Sequence, residues 1–315
     1  MSGILTEAFI VGLLAATIRA AAPLIFAALG EAFSQRSGVI NVGLEGYLLI
    51  GAFCAYLGSY YMDHAWLGAL MGLAGGGLIA LVAAYVMISR RADQIVTGLA
   101  VWILSIGLVG LTYRIIFSEG NSLQPQRVAV DAFDAWAIPG LSSIPWIGEI
   151  LFDQIALVYL AYLAVPVAWL ILRSRQGLKV RAAGESPEAL ESAGGNVIRI
   201  RYACVVATGM LAGLGGAFLS IGQTDTFEEG LVGGRGFIAL GIAIVGRRNP
   251  VGVLVAALVF AFADSLQLWL PTAGVDVPRQ LLQALPYIVT IIALAGMFGR
   301  VRHPRAFLKP FVRQA

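Results

Sequence analysis

Residues 173–201 read RSRQGLKVRAAGESPEALESAGGNVIRIR, a polar island between two apolar runs that are each long enough to cross a bilayer. Here a membrane-buried chain meets something soluble. Behind Glu185, Ser186 suits a helix N-cap, Pro187 the first helical position and Glu188 the positive helix end, while Gly194-Gly195 supplies the stop. The spacing predicts a helix over 187–193 of about two turns, too short to stand alone. Ala189, Leu190 and Ala193 fall on one face, with Glu188, Glu191 and Ser192 on the other. Such a face is expected to dock into a partner's groove; the plainer alternative is a solvated loop with one helical turn.

Outward from the island, composition sets the class. With 59% hydrophobic and 12% charged residues and a mean hydropathy of +0.84, 315 residues cannot hide their apolar surface inside a soluble domain. The chain reads as an all-α polytopic bundle, one transmembrane domain over 1–315 with a cytoplasmic loop at 173–202. Its 38 glycines against 12 prolines favour close helix packing in lipid. Cys54 and Cys204 lie in apolar runs and point to neither a disulfide framework nor a metal site. The N-terminal MSGILTEAF lacks the basic region of a cleavable signal.

Nine apolar segments are expected: Ile4–Leu29, Val39–Tyr61, Trp66–Ile88, Ile95–Phe117, Leu151–Leu172, Ala203–Ile221, Leu231–Val245, Val251–Leu270 and Leu281–Met297. Threaded in alternation with the island inside, the inner loops hold 16 of the 21 Lys and Arg; the others are Arg19, Arg114, Arg127, Arg235 and Arg279. By the positive-inside rule the N-terminus is then outside and the C-terminus cytoplasmic. The segment Leu231–Val245 reaches only about 22 Å as a helix, so it either spans thinly or is a broken helix, and eight or ten spans are the alternative counts. The external loop 118–150, with Trp136, Pro139, Pro145 and Trp146, reads as an interfacial segment or as a mere connector.

No nucleophile–base set, phosphate loop or metal spacing occurs, and His64 and His303 are the two histidines. Any nucleotide that drives transport must therefore sit on another subunit. The ionisable groups at membrane depth are Arg19, Glu45 and Asp264, with Asp93 and Arg114 nearer the ends of the fourth segment. Each needs a partner or a hydrated cavity. Arg19 could pair with Glu45 or with Asp264 as a bundle lock, or the acids could line a pathway. Asn41 and Glu45, one turn apart among Gly38, Gly43 and Gly46, share a thin helix surface. Of the membrane aromatics, Trp102, Phe237 and Trp269 read first as packing or lipid anchors, although a cavity for a flat base would need one or two of them.

The island from Gly177 onward is similar to the cytoplasmic loop of permease subunits in the ATP-binding-cassette importers for simple sugars, branched-chain amino acids and nucleosides. GEAFSQRSGVINVGLEGYLLIGAF at 30–53, DQIVTGLA at 93–100, GRGFIALGIAIVGRRNPVG at 234–252 and FADSLQ at 262–267 resemble the nucleoside-type permeases in particular. Val101-Trp102 departs from that pattern, which leads one to expect an Asn there. The resemblance implies an inner-membrane permease for a nucleoside or related purine compound. The candidate pathway residues remain those read from membrane depth and packing, Asn41, Glu45, Trp102, Phe237 and Asp264, while the resemblance implies that Glu185, Ser186, Pro187, Glu188, Ala189, Leu190, Ala193 and Gly194 couple to an ATPase that binds ATP and magnesium. It also implies a second permease subunit and an extracytoplasmic substrate-binding protein as partners, with no nucleic acid. A sugar or branched-chain amino acid ligand is the alternative within this reading, and an ion-coupled secondary transporter the rival outside it.

Overall fold

A computed structural model describes residues 7–118, 125–273, 278–296 and 303–312. Its long helices are α1 (Glu7–Arg36), α2 (Leu44–Met62), α3 (Ala65–Ala84), α4 (Gln94–Phe117), α6 (Ala156–Arg173), α9 (Val197–Ala217), α11 (Pro250–Trp269) and α12 (Arg279–Gly296). Between them lie the short α5 (Ile147–Leu151), α7 (Arg175–Glu185), α8 (Pro187–Ser192) and α10 (Arg235–Val245). Single π-helical turns continue α3 to Ser89 and α9 to Gln223. Six of these, α1, α3, α4, α6, α9 and α11, are long and apolar enough to cross a membrane. Of the remaining three expected segments, α2 and α12 are 19 and 18 residues long and α10 is only 11.

Local chemistry explains the helix ends. Asp93, read from the sequence as an ionisable group near membrane depth, is the N-cap of α4: its Oδ1 accepts from the N–H of Ile95 and of Val96, both at 2.9 Å. Asn249 caps α11, with Pro250 at the first helical position. The first segment runs further than its apolar content indicates. Helix α1 continues through Glu31, Ser34 and Gln35 to Arg36 before Gly38, at φ +95°, turns the chain. The second starts later, because residues 39–43 are not helical. Segment five likewise begins at Ala156, since 153–155 pair as β2 with β1 (Ala135–Ala137), Ala135 opposite Ile155.

The helices sort by depth in the bundle. Helix α9 is the most enclosed of the six and α4 the most open. Helix α9 approaches α3 backbone to backbone: a Cβ on Gly76 would fall on the Gly209 carbonyl and the Gly213 backbone. Tyr47, Tyr56, Phe26, Phe218 and Phe260 fill the centre. Ile103, Leu111 and Ile115 on α4 and Leu78 on α3 point outward, which in a bilayer is apolar surface facing lipid or another subunit rather than an unmet cost. The ends differ in charge. Arg36, α7, α8, the turn 246–249 and the tail 303–312 gather at one; the β1–β2 hairpin, α5 and residues 224–230 lie at the other.

Candidate functional site

The site is built where α10 starts. Its N-terminal N–H groups have no partner within the helix, and a side chain from α2 supplies one. Glu45 Oε1 accepts from the N–H of Gly234 and Oε2 from that of Gly236, both at 2.7 Å. Charge-assisted bonds to a helix N-terminus are strong and match the dipole. Sequence makes this contact: Gly234 takes φ +84°, and a Cβ on Gly236 would overlap the Glu45 backbone. From this contact the 11 residues of α10 run about 16 Å to the turn at Arg247. Segment seven is therefore a broken helix that begins inside the bundle, one of the two options its length left open.

Three more of the expected pathway residues meet there. Phe237 packs edge-to-face on Trp102 of α4, centroids 5.2 Å apart. Arg235 donates to the carbonyls of Leu231 and Val232 at 3.1 and 3.3 Å, and its other terminal nitrogen lies 3.7 Å from Asp264 Oδ2 on α11. Both members of that pair are about one-third exposed or less, at 26% and 33%. A broken helix end, a carboxylate, an ion pair and two rings thus share one half-buried region in an apolar bundle.

Arg19 is not the buried charge partner expected of it. It is exposed on α1, and no ion pair joins it to Glu45 or Asp264 among the described residues. The backbone satisfies Glu45, and Arg235, counted from the sequence only among the basic residues outside the inner loops, pairs with Asp264. Asn41 is also elsewhere. Because α2 begins only at Leu44, Asn41 does not stack one turn below Glu45; its backbone N–H and Nδ2 donate to Glu31 at 3.1 and 2.9 Å. Glu31 is fully buried and also accepts from Gln35 Nε2 at 3.0 Å, and Gln35 in turn accepts from Arg248 Nε at 2.9 Å. The sequence reading missed this chain by placing residue 31 just beyond the first segment. The signal was there: Glu31 and Gln35 stand at i and i+4, the spacing of facing side chains on a continued helix.

The island folds into two helices, α7 and α8, not one. Helix α8 has Pro187 at its first position and closes with Gly194 at φ +80° and the Gly195 N–H on the Leu190 carbonyl at 2.9 Å. Ser186 precedes it without a side-chain cap bond. Pro187 and Leu190 are buried, Leu190 in a small cluster with Ala183, Val197 and Phe311. The expected docking face is thereby corrected: Leu190 holds the helix to its own chain, and Glu188, Ala189, Ser192, Ala193 and Gly194 are the exposed residues. Glu185, at the end of α7, accepts from the Arg305 N–H at 3.4 Å. Arg201, only 2% exposed, donates to the carbonyls of Ser37, Lys309 and Ala183 and ties α1, α7 and the tail together.

Apolar helices long enough to cross a membrane, packed around a half-buried polar cluster with a braced basic platform at one end, define a polytopic membrane protein. Residues 13–294 match the family of the branched-chain amino acid transport system permease component, and the chain belongs to that family. It is 38% identical, over 95% of either chain, to the guanosine ABC transporter permease protein NupQ of Bacillus subtilis. It is 34% identical to the nucleoside ABC transporter permease protein NupC of Lactococcus lactis, covering 90% of this chain and 91% of that one. The glucose ABC transporter permease protein TsgB13 of Haloferax volcanii is 28% identical over 88% of this chain and 75% of its own.

Proposed function

We propose that this chain is the membrane-spanning subunit of an ATP-driven importer that carries a nucleoside or related purine compound across the inner membrane. The observation that carries this reading is the α10 break, where Glu45, the Trp102–Phe237 pair and Arg235–Asp264 surround the start of a half-length helix. Rings beside charged donors and acceptors suit a flat polar base, which stacks on one face and hydrogen-bonds at its edge. Arg19, exposed on α1, is free to face a second permease subunit. A second copy or sibling completes the pathway, ATP and magnesium sit on partner ATPases, and an extracytoplasmic binding protein delivers the ligand. The exposed face of α8 couples the ATPase to the bundle, so that closure of two ATPases rocks the two permeases. The chain threads as nine segments, the seventh being the short α10, with the N-terminus outside and the C-terminus inside, an orientation supported by the 16 of 21 Lys and Arg that the sequence places in the inner loops.

The glucose relative keeps a sugar as the second reading. Uptake of labelled guanosine into vesicles holding the complete complex decides between them. Excess unlabelled nucleoside should abolish uptake while glucose and leucine leave it unchanged; competition by glucose alone would replace the nucleoside reading. Topology is checked with Ser192→Cys and Ser143→Cys in a background lacking Cys54 and Cys204. An impermeant maleimide should reach the first only from the cytoplasm and the second only from outside; reversed labelling would sink the orientation.

A further inference from the structure

The polar break absorbs Glu45, Arg235 and Asp264, but a second concentration of charge is left without a role. At the basic end, a cavity of about 260 Å³ is lined by Arg36, Arg181, Arg247 and Arg248, with Glu185 and Pro304. Four arginines and one carboxylate line it; that carboxylate already accepts from the Arg305 N–H, and Arg248 also feels the buried Glu31.

The cavity is built rather than incidental. Arg36 Nε donates to the Arg248 carbonyl at 2.8 Å, and Arg248 is held by Gln35 at 2.9 Å and by His303 Nδ1 at 2.7 Å. The Ala306 N–H on the Gly184 carbonyl at 2.8 Å fastens the tail across α7. Arg247 and Arg248 both hold left-handed backbone, φ 53° and 57°, a conformation that disfavours residues with a Cβ and is kept where the surroundings impose it. Both of these adjacent residues line one space already edged by two more arginines.

We infer that this cavity binds a phosphoryl anion. Planar guanidinium forks pair bidentately with tetrahedral oxyanions, and several together suit a doubly charged group better than a single carboxylate. The volume equals that of about nine water molecules at ~30 Å³ each, room for a phosphoryl group and its closest waters. The group can arrive as soluble phosphate or on an anionic phospholipid at the inner leaflet; the chemistry is shared. Without an anion the arginines repel one another, so the empty site destabilises the fold and the filled one stabilises it. None of this depends on which ligand the transporter carries.

The experiment is thermal melting of the purified full-length chain in neutral detergent, with chloride exchanged for inorganic phosphate at fixed ionic strength. The wild type should gain on the order of 2–4 °C at saturation. Arg181→Gln with Arg247→Gln, both exposed, should melt above wild type in chloride and gain nothing from phosphate. Arg199→Gln, exposed but outside the cavity, should respond as wild type. A parallel arm measures retention of phosphatidylglycerol against phosphatidylcholine by native mass spectrometry. Selective, arginine-dependent retention assigns the group to lipid, and a phosphate gain without it assigns the group to a soluble anion. The inference fails if neither phosphate nor phosphatidylglycerol acts on the wild type, if the double variant responds equally, or if only an ATPase subunit occupies the arginines.

Discussion

The two ends of α10 meet charge of opposite sign, each matched to the helix dipole, and the means differ. At the N-terminus one carboxylate, 6% exposed at the residue level, is satisfied by two backbone N–H groups. At the C-terminus two arginines on strained backbone open onto a cavity with surplus positive charge. In the apolar interior a charge must be met by fixed, short bonds, because nothing else is there to solvate it. Near water, surplus charge is tolerable and available for a ligand. The first end should therefore tolerate substitution poorly, whereas the second should tolerate the loss of a charge.

The sharpest break of this contrast is steric. Gly236→Val places side-chain atoms on the Glu45 backbone, an overpacked contact expected to cost about 3 kcal/mol. Gly241→Ala, five residues along the same helix where nothing lies within 4 Å, should instead stabilise by about 0.5–1 kcal/mol. Melting curves of the two variants read the difference; equal behaviour would mean α10 does not begin against α2.

Next in size is the island. Leu190→Asp buries a charge among Ala183, Val197 and Phe311 and should destabilise by about 2–3 kcal/mol. Ala189→Asp on the exposed face should change stability by less than about 0.5 kcal/mol yet uncouple ATP hydrolysis from ligand. Melting and ligand-stimulated ATPase activity, measured on both, separate brace from coupling surface. Unchanged coupling in Ala189→Asp would remove α8 from the ATPase interface.

Glu45→Gln has a smaller effect on stability. Its amide nitrogen cannot accept, so one of the Gly234 and Gly236 N–H groups loses its partner, at about 1–2 kcal/mol. If that interaction is needed for the pathway, uptake should fall roughly tenfold or more, since 1.4 kcal/mol is a factor of ten. Uptake at the wild-type rate would leave Glu45 as a helix cap alone.

The smallest effect is at the far end. Burial first, and the Arg248 guanidinium second, hold His303 below its usual 6.5, and its Nδ1 can accept from Arg248 only when the ring is neutral. A base whose folded-state value is depressed contributes its stability above the unfolded value. That contribution is lost as pH falls below 6.5. Because the residue is largely exposed, melting should drop by no more than about 1 °C toward pH 5.5, and His303→Asn should abolish the dependence.

The apolar runs, the basic island and the helix punctuation at Pro187 and Gly194 were legible as sequence, because hydropathy, charge bias and helix start and stop signals are local properties of a chain in a bilayer; the side-chain cap expected of Ser186 does not form. The meeting of Trp102 with Phe237 was not. Nor was the choice of partner for each buried charge, for a reason the residues make plain: Glu45 is answered by backbone 189 positions away, Asp264 by Arg235, and Glu31 by a turn that stops α2 short of Asn41. Sequence marked Glu45 and Asp264, but not Glu31, as charges that must be paired inside an apolar medium, since an unpaired one costs too much to keep. Only the tertiary packing decided with whom, because glycine-thinned helices let backbone donors approach where no side-chain pattern marks them.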